Sequence, residues 1–535
     1  MKKLIAIFPL LILFLNPVIS QNLHIDWQNC FGGTESDEAQ DMIQTEGGYL
    51  IVGYTKSNDG DVSFNHGGND FWLVKINNTG TLIWQKSYGG TAGDIAMRIL
   101  ATTGGAFYIA GSSSSSDGDI SNDPYPNSPD YWIIKIDSIG GIIWEKIVGG
   151  PGGERLENAT STSDGGIIAI GTLLSSGGGD ITNFYGMYDM WLIKLDNEGN
   201  TDWDFTIGTS WIDSGHAIIQ TSDGGYLAGG ASRIEDGGNL TCVPFNYKAE
   251  AILMKLDSNR NIEWQQCYGG SEDDGAIGLL EVQDGYVFLA YASSGDGDLT
   301  GSGWHGATDI WVVRTDFSGN IIWQKCYGGS SYEFASRIFQ TNDGGFVVVG
   351  HTESLDGDVV GNHSIGNHDD IWMFKINNVG DLIWQKCFGG IADEMIEFGV
   401  VKKSDNKYVL AGTANYSPSF DVDCDFNYTG VANSDYWVLR VSDTTVGISI
   451  NHPELNALKV YPNPAKDYVV FEQQGPQTIH PKQNAVQITN IFGQVIQTLK
   501  ILGKQTVWDT QQVKPGIYFY KTEGSNYFGK VVISE

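Results

Sequence analysis

Seven tryptophans open nearly the same phrase along this chain: Trp27 (WQNCFGG), Trp84 (WQKSYGG), Trp144 (WEKIVGG), Trp203 (WDFTIGT), Trp264 (WQQCYGG), Trp323 (WQKCYGG) and Trp384 (WQKCFGG). They follow one another at intervals of 57 to 61 residues. A fixed period of this size marks a repeat architecture, in which each unit buries its apolar face against the next. Four short apolar runs make up a unit; in the sixth they are Ala335–Thr341, Gly345–Thr352, Asp370–Ile376 and Asp381–Phe388. Their β-branched and aromatic content and short length predict strands rather than helices. Breaks such as Asn342-Asp343-Gly344-Gly345 and Asn377-Asn378-Val379-Gly380 supply the residues that tolerate positive φ in tight hairpins.

Four antiparallel strands per unit, repeated radially, describe a β-propeller blade in an all-β fold. The seventh unit has three strand patterns, Met395–Lys402, Tyr408–Thr413 and Asp435–Val441, and no Trp-bearing fourth. The unmatched fourth strand stands at the opposite end of the chain, His24–Phe31. Pairing the two closes the ring and removes an open, aggregation-prone edge. The expectation is a seven-bladed propeller over residues 22–443, its last blade completed by the N-terminal strand.

Some positions recur in every unit. An acid lies ten residues after each tryptophan: Asp37, Asp94, Glu154, Asp213, Asp274, Glu333 and Glu394. Another acid opens each third strand: Asp70, Asp130, Asp189, Glu250, Asp309, Asp370 and Asp435. A base follows five residues on: Lys75, Lys135, Lys194, Lys255, Arg314, Lys375 and Arg440. A group needed seven times solves a problem every blade has, such as a turn or an ion pair, because blades meet their neighbours through equivalent contacts.

The chain begins with Lys2 and Lys3, an apolar run Leu4–Leu15 and the small-residue exit Val18-Ile19-Ser20. This reads as a secretory signal peptide over residues 1–20. No other stretch approaches the roughly 20 apolar residues of a membrane-spanning helix, so no transmembrane segment is expected. Charge is uneven. Residues 455–535 carry eight Lys against five acids, whereas the region before them, without Lys2 and Lys3, holds 21 basic and 59 acidic groups, a net −38. Such a surface repels polyanions and argues against a nucleic-acid partner. Cys30, Cys267, Cys326 and Cys387 share one repeat position with Ser87, Ile147 and Thr206, as small buried fillers would. Cys242 and Cys424 sit in long loops, and no disulfide is assigned from the sequence.

Candidate chemistry concentrates in the loop between second and third strands. It carries Asp59-Gly60-Asp61, Asp117-Gly118-Asp119, Asp296-Gly297-Asp298 and Asp356-Gly357-Asp358, with relatives at Gly179-Asp180, Asp236-Gly237 and Asp421-Val422-Asp423. Alternate carboxylates around a glycine can offer hard oxygens to calcium. Plain Asp-Gly turn formation accounts for the same recurrence. His66, His305, His363 and His368 lie in these loops without metal-ligand spacing. Gly301–Gly306 matches GxGxxG but precedes no helix, so it is not read as a dinucleotide site. Symmetry breaks fourteen residues after each tryptophan, at Asp41, Arg98, Asn158, Ala217, Gly278, Arg337 and Phe398. First strands line a propeller's axis, so variation there is what blade-specific ligand contacts would produce. The loops Ser121–Pro129, Arg233–Ala249 and Asn415–Ser434, with Trp211, Trp304, Tyr125, Tyr185 and Phe245, are further candidates for a binding face.

After Val441 the repeat stops. Residues 444–457 read as a linker, and 458–535 as a separate small β-sandwich near the lower size limit for independent folding. Tyr461-Pro462-Asn463-Pro464-Ala465, Ile491-Phe492-Gly493, Pro515-Gly516-Ile517-Tyr518 and Gly529-Lys530-Val531-Val532-Ile533 stand in order along it. This tail resembles the type A C-terminal sorting domain of the type IX secretion system of Bacteroidetes. The resemblance implies partnership with that machinery through residues 458–535, export across the outer membrane, and a secreted or cell-surface protein. The propeller repeat is similar to repeats of secreted proteins in the same bacteria, which imply no single activity. Fold alone decides no function. The expectation is a binding or adhesion module for an extracellular glycan, peptide or protein, more readily non-enzymatic. The alternative is an extracellular hydrolase or lyase acting on polysaccharide or peptide at the axial face.

Overall fold

The structure is a computed structural model describing residues 23–534, apart from 103, 127, 175–177, 234–236, 246, 365–367, 405, 416–418, 424–432, 444–457, 462–464, 474–484, 491–493, 501–504 and 523–527. The expected signal peptide, the linker and Cys424 therefore lie outside the described residues. The chain divides into two compact units, the first through Thr445 and the second from Val446.

The first unit is seven antiparallel sheets. Blade 1 runs through Asp37–Thr45, Gly48–Thr55, Asp70–Asn77 and Leu82–Tyr88 in sequential order. Five sheets of the same order follow, with first strands at Asp94–Ala101, Glu154–Ser161, Asp213–Gln220, Asp274–Val282 and Glu333–Gln340. In blade 7 the strand Ser434–Asp443 pairs with Leu23–Phe31, from Leu23 opposite Asp443 to Phe31 opposite Tyr436. The N-terminal strand closes the ring, and this is a seven-bladed β-propeller. The ion pair Asp26–Arg440 (2.9 Å) and the Trp437 indole donating to Gln28 (2.7 Å) fix the closing strand.

The repeat residues explain themselves once the blades meet. Third-strand tryptophans such as Trp72, Trp311 and Trp372 are fully buried, and each indole N–H donates to the Gln after the repeat tryptophan, Gln85, Gln324 and Gln385. The repeat tryptophan itself covers the glycine of the next blade's third-to-fourth turn. Trp27 lies over Gly80, Trp144 over Gly199 and Trp323 over Gly380, each glycine at a φ of 84° to 86° that disfavours a side chain. Apolar cores form between blades: Tyr131 and Ile133 of blade 2 pack with Leu156, Ile167 and Trp191 of blade 3.

The recurrent bases anchor turns. Lys194 pairs with Asp164 and Lys255 with Asp223, both at 2.9 Å. The recurrent acids form a more unusual arrangement. Acids from neighbouring blades converge on the first glycine of each GG or GT phrase. A Cβ on Gly208 would meet Asp189 Oδ1 at 2.0 Å and Asp213 Oδ2 at 3.1 Å, and Gly149 sits in the same way between Asp130 and Glu154. Asp189, Asp213, Asp130 and Glu154 are 0–1 % exposed. Loss of solvent pushes Asp189 and Asp213 up to about 6. Asp130 is raised by burial and by Glu154 beside it.

The second unit is a three-stranded sheet (Leu458–Tyr461, Tyr468–Gln473, Gln505–Asp509) and a four-stranded sheet (Ala485–Asn490, Val495–Lys500, Gly516–Thr522, Phe528–Ile533). Val469, Phe471 and Trp508 of one face Val486, Ile488 and Val531 of the other in a shared core. This is a small β-sandwich.

Candidate functional site

Each of the first six blades carries an irregularity at one place in its first strand, where the register slips between Ala39 and Asp41, Ala96 and Arg98, Leu156 and Asn158, Gly215 and Ala217, Ala276 and Gly278, and Ala335 and Arg337. The skipped residues are Gln40, Met97, Glu157, His216, Ile277 and Ser336. In blade 7 the first strand breaks into Glu394–Met395 and Val400–Ser404, with Glu397 in the gap. A β-bulge leaves its extra residue unpaired and re-aims its side chain. Here five of the six, with Glu397, line one axial chamber of about 330 Å³ together with Phe398, Phe334, Tyr291 and His351. The sequence reading pointed one residue beyond these, because nothing in a strand's composition announces a bulge.

Of the residues it did single out, Phe398 lines the chamber, and the charged ones knit the axis. Arg98 donates to Asn158 (2.9 Å), pairs with Asp41 (3.1 Å) and lies over the Phe398 ring at 4.4 Å. Arg337 reaches Asp41 (3.2 Å) and the Phe398 carbonyl (2.7 Å). Blades 1, 2, 3, 6 and 7 are thus tied to one another across the axis. A buried charge set of this kind persists only when paired and hydrogen-bonded.

The chamber is electrostatically uneven. Glu397 is open to the chamber yet surrounded by protein, and loss of bulk solvent pushes its carboxyl up to about 7, with Glu157 and Glu38 adding and Arg155 opposing. Burial also raises Glu157, which Arg155 pairs at 2.9 Å. His216 and His351 are pushed down to about 4 by burial and stay neutral. A larger hollow of about 670 Å³ lies between His24, Lys386 and Asp421–Asp423, at blade edges rather than on the axis, so volume alone does not choose the site.

The Asp-Gly-Asp loops grip the connection entering their own blade. Asp59 accepts from Thr34 N (2.8 Å) and Thr34 Oγ1 (2.9 Å), Asp61 from Gly32 N (3.3 Å), and Asp61 N donates to the Gly32 carbonyl. Asp117 and Asp119 repeat this on Thr91 and Gly89, Asp296 and Asp298 on Ser271 and Gly269. Asp356 accepts from Ser330 N, and Asp358 N donates to Gly328. In blade 4 the equivalent is Asn239 on Gly208, three residues after Asp236. The carboxylates are aimed at backbone amides, and no group of three or more His, Cys, Asp or Glu among the described residues is placed to hold a metal ion. His66, His305 and His363 bridge blades: each ring bonds the acid opening its own third strand, Asp70, Asp309 or Asp370, at 2.7 to 2.9 Å, and faces Asp119, Asp358 or Asp421 of the next blade.

The cysteines differ from expectation. Cys242 and Cys267 form a disulfide, with Cα atoms 5.7 Å apart, because the long loop of blade 4 folds back on its own fourth strand. Cys30 is disulfide-bonded too. Cys326 and Cys387 are free and buried, as fillers would be. Among the described residues no helix is long and apolar enough to cross a membrane. Trp211, Trp304 and Phe245 are 38 %, 38 % and 57 % exposed and remain a possible outer contact surface.

Residues 459–534 match the family model described as the secretion system C-terminal sorting domain. The tail is that domain, and it directs the protein through the type IX secretion system to the cell surface or extracellular space. None of the curated proteins compared matches the chain. Among solved structures, the chain is similar to PorZ, an essential bacterial surface component of the type-IX secretion system of Porphyromonas gingivalis. It is 11 % identical to PorZ, with a TM-score of 0.39 over 92 % of this chain and 59 % of that one. It is also similar to the extracellular region of Plexin A4 (7 % identity, TM-score 0.42, 94 % and 61 % covered) and to an ancestral GH74 enzyme (11 %, 0.38, 95 % and 63 %). Likeness at this level carries no functional weight.

Proposed function

We propose that the exported propeller is a binding module, and that the axial chamber is where it meets its extracellular glycan, peptide or protein ligand. The observation carrying this reading is the row of bulges. Six blades carry a bulge at the same point of the first strand, and the five side chains that bulges deliver to the chamber are all different. Scaffold positions repeat in every blade; here Gln40, Met97, Glu157, His216, Ile277, Ser336 and Glu397 offer six residue types over seven blades. Concave sites mixing apolar walls with a few polar groups are the usual form of a ligand pocket, and 330 Å³ lies at the small end of their range.

A second reading keeps the hydrolase or lyase alternative, because Glu157 and Glu397 are two carboxyls in one chamber, both raised by burial. A general acid and a general base at such a position is a recognised arrangement. One experiment separates the readings: glycan and peptide arrays probed with wild type and Ile277→Trp, each hit then assayed for turnover. Binding without turnover, lost on filling the chamber, supports the module. Turnover abolished by Glu397→Gln supports the enzyme. Ligand retention unaffected by Ile277→Trp sinks both.

A further inference from the structure

The axial charges do not balance. Four carboxylates, Glu38, Asp41, Glu157 and Glu397, face three guanidiniums, Arg98, Arg155 and Arg337. Asp41 takes Arg98 and Arg337, and Glu157 takes Arg155 at 2.9 Å. Glu38 bonds the Tyr54 hydroxyl. Glu397 makes no ion pair or hydrogen bond of its own among the described residues, and Arg155, the cation that acts on it, is already paired with Glu157. Phe334, Tyr291 and Met97 line the same chamber, with Tyr332 stacked on Phe334 at 6.5 Å between ring centres. His216 and His351 line the same wall as neutral rings and supply no charge.

We propose that the chamber takes an organic ammonium group, from a free amine or a lysine side chain, against Glu397 and between the rings of Phe334 and Tyr291. This rests on the reading of the chamber as the ligand site. A carboxylate without an ion pair of its own, in a chamber that aromatic rings also line, is what an ammonium needs on both counts, charge and ring quadrupole. The Arg98 guanidinium already lies over the Phe398 ring in this way. The volume admits one side chain or small amine rather than an oligosaccharide. The propeller's net −38 draws cations toward it. The step balances: the Glu397 carboxyl releases its proton to solvent, and the incoming ammonium, keeping its own protons, takes its place as counter-charge. Below about pH 7 proton and ligand therefore compete.

Calorimetric titration of the full-length protein tests this, with pentylamine against 1-pentanol and with the peptide acetyl-Gly-Lys-Gly-amide against its Nε-acetylated form, at pH 5.5, 7 and 8.5 in two buffers of different ionisation heat. The amine should bind and the alcohol should not. Affinity should rise by up to about tenfold per pH unit below pH 7, with close to one proton released. Glu397→Gln should keep the melting temperature and lose the proton release and at least tenfold in affinity; Phe334→Ala should weaken binding with the proton release intact. Pentylamine binding without peptide binding assigns a free amine, and binding of both assigns lysine. Equal binding of alcohol and amine, no binding of either amine, or unchanged binding by Glu397→Gln overturns the proposal. In those cases, loss of an array ligand on Ile277→Trp still leaves the chamber as the site, whereas its retention removes that reading as well.

Discussion

The inter-blade acid pairs make the propeller's stability run against the usual direction with pH. In the Asp189–Asp213 pair both side chains are 0 % exposed, and Asp189 Oδ1, the oxygen nearest Gly208, has no partner of its own. Burial holds the Asp189 carboxyl at about 6, against an ordinary 3.8. Between those values the folded state keeps a proton that the unfolded chain has released. The stabilisation is fully present below about pH 4 and is lost as pH rises through 6, on the order of 3 kcal/mol at about 1.4 kcal/mol per unit. Asp189→Asn removes the titration while keeping an acceptor for the Tyr185 amide. Relative to wild type, the variant should gain on the order of 3 kcal/mol between pH 4 and pH 7. Urea unfolding followed by tryptophan fluorescence at unit pH steps measures this. Parallel wild-type and variant curves across that range would refute the reasoning, since the pair would then be ionised or paired with a cation.

Deleting Leu23–Phe31 should lower the melting temperature of the whole propeller. It reopens an edge, uncovers Gly80 and removes the buried Leu23 and Phe31, worth about 1.5–3 kcal/mol each; an unchanged midpoint would mean the ring closes otherwise. Ser302→Cys should form a disulfide with Cys326, whose Sγ lies 3.2 Å from Ser302 Oγ, at the blade 5 counterpart of Cys242–Cys267. Non-reducing mass analysis should find the bond, and melting should show a gain of about 3 kcal/mol. A chain stopped at Pro453, expressed in a host with the type IX system, should fold and stay in the periplasm while full-length protein reaches the surface or medium. Surface delivery of the shortened chain would contradict the role of residues 459–534.

The ring was legible in the sequence because blades are built from positions that must repeat. Trp27 and its six counterparts, the GG phrases and the missing seventh outer strand carry the period, the blade count and the closure. The site was legible only in outline. Asp41, Arg98 and Arg337 stood out as symmetry-breaking, and in the fold they knit the axis together, while the chamber is lined by Phe398, which also stood out, and by Met97 and Ser336 just before the two arginines. A bulge is a property of backbone pairing, and Ala39-Gln40-Asp41 reads like any other strand. Cys267 resembled a filler because its repeat position accepts Ser, Ile and Thr. Only the folded loop brings Cys242 within reach of it. The amide contacts of the Asp-Gly-Asp loops were hidden for a related reason: the amides of Gly32 and Thr34 lie 25 to 29 residues away in sequence.

Hydrogen–deuterium exchange of the full chain, with and without the tightest ligand from the arrays, tests most directly where this propeller binds. Protection should appear in peptides spanning the chamber's bulges, Ala96–Arg98, Leu156–Asn158, Gly215–Ala217, Ala276–Gly278 and Ala335–Arg337, and at Ile396–Gly399. Protection confined to the outer loops Ser121–Pro129 and Arg233–Ala249, with the axis unchanged, would contradict the account.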